Sequence, residues 1–102
     1  GMKERTLLVS GFSKNFAMTG WRLGWVCAPA VLMEQIVKIH QYAVMCSPTV
    51  SQFAAIDALR HGDEAVESMR AEYEKRRNVI VKGFNEIGIK TNVPGGAFYA
   101  FG

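Results

Sequence analysis

With 102 residues, 49% of them apolar and 21% charged, the chain is sized and composed for one small globular domain, burying roughly 60–65% of its unfolded surface. That excludes a two-domain enzyme, a disordered segment and a low-complexity tract. The net charge of +3 comes from scattered basic residues, apart from the run "EKRR" of Glu74 to Arg77, so no nucleic-acid partner is expected. No apolar run approaches the ~20 residues of a membrane span. The start "GMKERTLLVSG" lacks the apolar region of a secretory signal, so no membrane association and a cytoplasmic location are expected. Gly1 ahead of Met2 looks like the residue left by a cleaved tag. Cys27 and Cys46, the 2 cysteines, lie far apart in apolar stretches and are expected to be buried free thiols of a reducing compartment.

In chain order, "RTLLVSG" is a short apolar run bounded by charge and glycine, which predicts a strand buried on both faces, as in a parallel sheet. "GWRLGWVCAP" alternates, with Trp21, Leu23, Trp25 and Cys27 on one side and Arg22, Gly24, Val26 and Ala28 on the other, which predicts a second strand whose tryptophans pack in the core. Between them "NFAMTG" must turn the chain, with Gly20 best able to take an unusual backbone conformation. Three helices follow. Leu32, Ile36, Ile39 and Ala43 recur at helical spacing after Pro29, in a helix ending before "CSP". Ser47 reads as an N-cap with Pro48 at the first helical position, Val50, Phe53, Ala54 and Ala58 as the apolar stripe, and Gly62 as the stop. Asp63 reads as the cap of a longer helix, with the stripe Val66, Met69, Tyr73, Ile80, Phe84 and Ile87 and a stop at Gly88. Its Glu74, Lys75, Arg76 and Arg77 form a solvated face. "IKTNVPGGAFYAFG" predicts a strand, a Pro-Gly-Gly turn and a second strand, with Phe98 and Tyr99 in the core. His40 and His61 are far apart on helices, and no metal site is expected. The order of two strands, three helices and two strands is α/β. The apolar run Ala97 to Phe101 meets no closing turn, so the chain is expected to be a piece of a larger fold.

Lys14 and Arg22 stand among Gly, Phe, Trp, Ala and Met, where cations are not usually placed. A lysine held in an apolar pocket has its charged form disfavoured and becomes a nucleophile toward carbonyls. Arginine keeps its charge and offers a rigid fork to phosphate. Fully extended, the residues between them span about 26 Å, so only a chain that doubles back brings both to one small ligand. An aldehyde at one end and a phosphate at the other satisfy both, as in pyridoxal 5′-phosphate (PLP).

"GFSKNFAMTGWRLG", Gly11 to Gly24, resembles the PLP attachment motif of the class I aminotransferases of fold type I. The segments "APAVLMEQIVKI", "SPTVSQFAAIDAL" and "PGGAFYAF" resemble the same family in the same order, and "FAMTGWRLG" is most similar to the aspartate aminotransferase-like branch. The resemblance implies a fragment of the fold type I large domain, residues 1–78, followed at 79–102 by the end of an interdomain helix and the start of a small domain. It implies Lys14 as the Schiff-base lysine and general base, Arg22 as the ligand of the cofactor phosphate, and Ser13 as a hydroxyl donor to that phosphate. Many members carry a second phosphate serine three residues before the lysine, where this chain has Gly11; Ser10, one place further, is the candidate. The implied reaction is transamination between an amino acid and a 2-oxo acid.

Members of the family are several times longer. The aromatic that stacks on the ring, the aspartate on its nitrogen, the tyrosine on its phenolic oxygen and the arginine for the substrate carboxylate have no counterpart here, so activity of this chain alone is not expected. Two alternatives stand: another fold type I PLP enzyme, such as a carbon–sulfur lyase or synthase, and a non-catalytic remnant domain. A P-loop is excluded, since "SGFSKN" lacks the required glycine and Ser/Thr around the lysine. Exposed strand edges predict a homo-oligomer, such as a dimer, or a complementary polypeptide. Gel filtration is expected to show species larger than the monomer; a single monomer peak contradicts this.

Overall fold

The computed structural model describes residues 1–102. Their packing divides them into two compact units, Gly1–Asp63 and Glu64–Gly102.

In the first unit, β1 (Leu8–Gly11) and β2 (Gly24–Cys27) form a two-stranded antiparallel ribbon in the register Leu8↔Cys27, Val9↔Val26, Ser10↔Trp25 and Gly11↔Gly24. The expectation of a parallel, doubly buried strand is therefore corrected: Leu8 is 53% and Val9 67% exposed. The chain returns directly after β1 with no crossover over the sheet, and a direct return makes the partner antiparallel. The second strand is also shorter than its alternation implied. Thr19–Trp21 is a 3-10 turn, Arg22 is left-handed, and Trp21 and Trp25 are exposed rather than core.

Helix α1 (Phe12–Asn15) is a single turn leaving β1. Helix α2 (Ala30–Val44) starts where the Pro29 carbonyl accepts the N–H groups of Leu32 and Met33 at 2.9 and 3.0 Å. It stops at Met45, with φ +63°. None of its residues is buried.

Helix α3 (Thr49–His61) begins one residue later than the sequence implies. Pro48 is the cap itself, with ψ 132°, and Ser47 makes no capping bond; its carbonyl instead accepts the side-chain amide of Gln52 at 2.8 Å. The buried stripe is also shifted. Val50 and Phe53 are exposed, while Ser51 and Ala55 are buried and Ala54 and Ala58 half-buried. That row, at i, i+3, i+4 and i+7, is a helical face of small residues. Onto it packs the core of the unit, Phe12 and Met18 with Phe16 and Leu23. Gly62 closes α3 beneath Phe16: a Cβ there would lie 3.0–3.1 Å from the Phe16 ring and meet the Ala58 carbonyl.

The cysteines are free, as expected, but exposed rather than buried, because the ribbon and the end of α2 are uncovered. His61 pairs through Nδ1 with Asp57 at 2.9 Å.

In the second unit, α4 (Asp63–Glu86) runs to Gly88, whose φ of +89° turns the chain. The N–H of Gly88 donates to the Asn85 carbonyl (3.1 Å) and that of Ile89 to the Phe84 carbonyl (2.9 Å), bonds that close the helix at a left-handed glycine. The Asn85 side-chain amide donates to the Val81 and Thr91 carbonyls and its oxygen accepts the Thr91 N–H, which buries Thr91. Beyond it the expected strands are absent. Residues 92–102 form no ladder, and the bend at 95–98 takes its positive φ at Ala97 (+59°). A strand satisfies its backbone only against a paired neighbour, and the one ladder of the chain is β1–β2. Phe98 and Tyr99 are accordingly more than half exposed, in a series of rings from Tyr73 through Phe98 and Tyr99 to Phe101 at centroid spacings of 6.4, 5.1 and 6.4 Å.

The polar face of α4 carries a ladder of ion pairs: Arg70 with Glu67 and Glu74, Glu74 with Arg77, and Glu72 with Arg76. Hydrogen bonds from Arg70 are the first cause holding the Glu67 and Glu74 carboxyls below their ordinary value of 4.5, helped at Glu74 by the Arg77 charge. A lowered folded-state pKa adds stability that is present above the unfolded value and lost as pH falls through the folded one. Helical circular dichroism is expected to hold from neutral pH to about 4.5 and to decline below it. High salt and Arg70→Ala should both blunt the decline; an unchanged acid profile in Arg70→Ala contradicts the assignment.

Candidate functional site

Lys14 and Arg22 lie in one connection, residues 12–23, that leaves β1 and re-enters β2. Its neck is the pair Gly11↔Gly24, tightened by a bond from the Phe12 N–H to the Leu23 carbonyl (3.2 Å). Both positions are tight for any side chain. A Cβ on Gly24 would lie 3.1 Å from the Ser10 carbonyl oxygen, and one on Gly11 3.3 Å from that of Leu23. Gly24 thus marks a close approach of two backbones.

The four residues singled out by the sequence fall at the same end of the ribbon. Ser10 is half-buried in β1, opposite Trp25. Ser13, half-buried, and Lys14, exposed, sit on α1. The apolar enclosure expected around Lys14 is not supplied, because Phe12 turns inward to the core while Lys14, two residues on, faces outward. Arg22 directly precedes Leu23 and the neck. Its Nη1 donates to the Thr19 carbonyl at 3.0 Å, and it forms no ion pair with a carboxylate, unlike Arg70, Arg76 and Arg77.

The turn does not use Gly20 as its unusual residue. Ala17 (φ +52°) and Arg22 (φ +51°, ψ 49°) take the left-handed conformation instead, at roughly 1–2 kcal/mol each. Such strain persists where the surroundings over-determine it. Here Phe12 and Met18 are buried on either side of Ala17. The Met18 N–H donates to the Phe12 carbonyl (3.3 Å) and the Ala17 N–H to that of Lys14 (3.4 Å).

One residue of the site escapes motif reading. Ser51 of α3, 3% exposed, donates its hydroxyl to the Trp21 carbonyl at 2.8 Å, next to Arg22. The signal for it lies in the small-residue row at 51, 54, 55 and 58, which an apolar stripe search passes over.

The hollow of about 280 Å³ along α4 is a different feature. It is lined by Tyr73, Ile80, Phe84, Phe98 and Arg77, and Arg77 is already engaged by Glu74, Asn78 and the Pro94 carbonyl.

Comparison with known proteins bears on the same residues. The family model described as "Aminotransferase class I and II" matches residues 1–102. A putative aminotransferase of Bacillus subtilis, YugH, is 58% identical over 101 residues, covering 99% of this chain and 26% of that protein. An aspartate aminotransferase of Pyrococcus abyssi is 52% identical, with 99% and 26% covered. The crystal structure of an aromatic aminotransferase from Pyrococcus horikoshii superposes with a TM-score of 0.92 at 51% identity, over 98% of this chain and 27% of that one. The chain thus spans about a quarter of the length of the relatives it matches.

The neck geometry predicts a contrast between glycines. Gly24→Ala presses a methyl onto backbone and is expected to lower stability by about 1–3 kcal/mol, with faster exchange of the Phe12 amide proton. Gly20→Ala, whose Cβ meets nothing within 4 Å, is expected to change stability by less than about 0.5 kcal/mol. Equal denaturation midpoints for the two variants contradict this.

Proposed function

Since the chain belongs to the class I and II aminotransferase family and shares the fold of its fold type I members, we propose that residues 10–24 hold the aldehyde and phosphate ends of pyridoxal 5′-phosphate for transamination between an amino acid and a 2-oxo acid. The observation that carries this reading is the closed connection 12–23, which bears an exposed lysine and an arginine without a carboxylate partner at one end of the ribbon. The residues suit the group. The Arg22 guanidinium has one backbone bond and donors to spare for a phosphate dianion. Ser13 adds a hydroxyl on α1, the turn that carries Lys14, and Ser10 a second one on β1.

When bound, the cofactor supplies an electron sink for the pair left at the substrate Cα. Lys14 would provide the primary amine that holds the aldehyde carbon and, once displaced by the substrate amine, would take the Cα proton and return it to the former aldehyde carbon, across the imine nitrogen. Arg22, Ser13 and Ser10 anchor the phosphate, so that Lys14 meets the aldehyde from a fixed distance. Groups for the ring nitrogen and the substrate carboxylate belong, on this reading, to polypeptide outside residues 1–102. A complementary polypeptide would supply them, in the cytoplasm, with residues 1–78 in the large domain and 79–102 entering the small one. Activity of this chain alone is not part of the proposal.

Borohydride reduction in the presence of pyridoxal 5′-phosphate, followed by peptide mass spectrometry, tests the reading. Selective modification of Lys14 that is lost in Arg22→Ala is the expected result. Modification spread over the surface lysines, or none at all, overturns it.

A further inference from the structure

Arg22 sits in a left-handed conformation that a non-glycine residue does not hold unaided. Two bonds hold the chain around it, one on the peptide that precedes Arg22 and one on the peptide after Leu23. The Phe12 N–H holds the Leu23 carbonyl on one side, and the Ser51 hydroxyl holds the Trp21 carbonyl on the other, at 2.8 Å and across 30 residues of sequence. The second bond bears on Arg22 most directly, because the Trp21 carbonyl belongs to the peptide from which the Arg22 φ departs.

Packing does not explain a hydroxyl at position 51. Its row continues as Ala54, Ala55 and Ala58, and alanine is the better helix former. A buried serine commonly returns its hydroxyl to the carbonyl four residues back. Here that carbonyl, of Ser47, accepts the Gln52 amide, and the Ser51 hydroxyl reaches out of the helix instead. We infer that Ser51 is a positioning residue for Arg22, holding the Trp21 peptide so that the guanidinium is presented to a phosphate. The inference rests on the cofactor reading for the identity of that phosphate, and on the backbone geometry for the rest.

The test uses the whole chain with Ser51→Ala and Ser51→Cys, the latter close to serine in size but a weak donor. In the protein without added ligand, the Arg22 Cα chemical shift is expected to move from its left-handed value toward an extended one in both variants, while Ala54, Ala55 and Ala58 keep helical shifts. A left-handed Arg22 retained in a variant whose α3 is intact overturns the inference. If Ser51→Ala unfolds α3, Ser51→Cys decides by the same criterion. In the second arm, imine absorbance gives the affinities for pyridoxal 5′-phosphate and for pyridoxal, which lacks the phosphate. The preference for the phosphorylated form is expected to fall roughly tenfold in Ser51→Ala with pyridoxal affinity unchanged. Equal losses for both ligands mark a merely structural serine and overturn the inference. A wild-type preference that is absent, or insensitive to Arg22→Ala, overturns the cofactor reading instead, and the Arg22 shift then decides the role of Ser51 separately.

Discussion

Two cations eight positions apart come to one end of a ribbon because the backbone closes on itself at Gly11 and Gly24. Each of these residues faces the other strand's backbone so closely that a side chain at either would press on it. Once the neck is closed, the connection 12–23 has a fixed length and a fixed pair of ends. Its apolar residues Phe12 and Met18 then have one place to go, onto the row of small side chains on α3. Lys14 and Arg22 are left on the outside by the same packing.

The strain in the connection and the support beneath it belong together. Left-handed Ala17 and Arg22 are costly in isolation, and each lies between anchors: buried Phe12 and Met18 around the first, bonds to the Trp21 and Leu23 carbonyls around the second. Small residues on α3 make this possible, since larger ones would hold the connection too far away for the Ser51 hydroxyl to reach. The second unit is stabilised differently. Long helix α4 relies on a surface ion-pair ladder and a glycine stop, and the chain after it is pinned mainly through Asn85 and Thr91.

Much apolar surface remains uncovered. Ile39, Val50 and Phe53 are exposed although their spacing marks faces built for burial. A hydrophobic pattern records what a face is suited to meet, not whether residues 1–102 contain it. That is why the tryptophans of the ribbon, the aromatics near Tyr99 and both cysteines read as interior in the sequence and stand at the surface of this chain, which spans about a quarter of its relatives' length.

Local chemistry was legible in the sequence alone. The three long helices, the start of α2 after Pro29, the stops of the later two at Gly62 and Gly88, and the Lys14–Arg22 motif all depend on residues within a few positions of one another, where spacing and backbone preference act directly. What depended on distant partners was not legible: the antiparallel return of β2, the face of α3 that is buried, the left-handed turn at Arg22 rather than Gly20, and the missing strands after Thr91. Strand direction, close approach and a hydrogen bond across 30 residues are settled by which segments meet, and only the tertiary structure decides that.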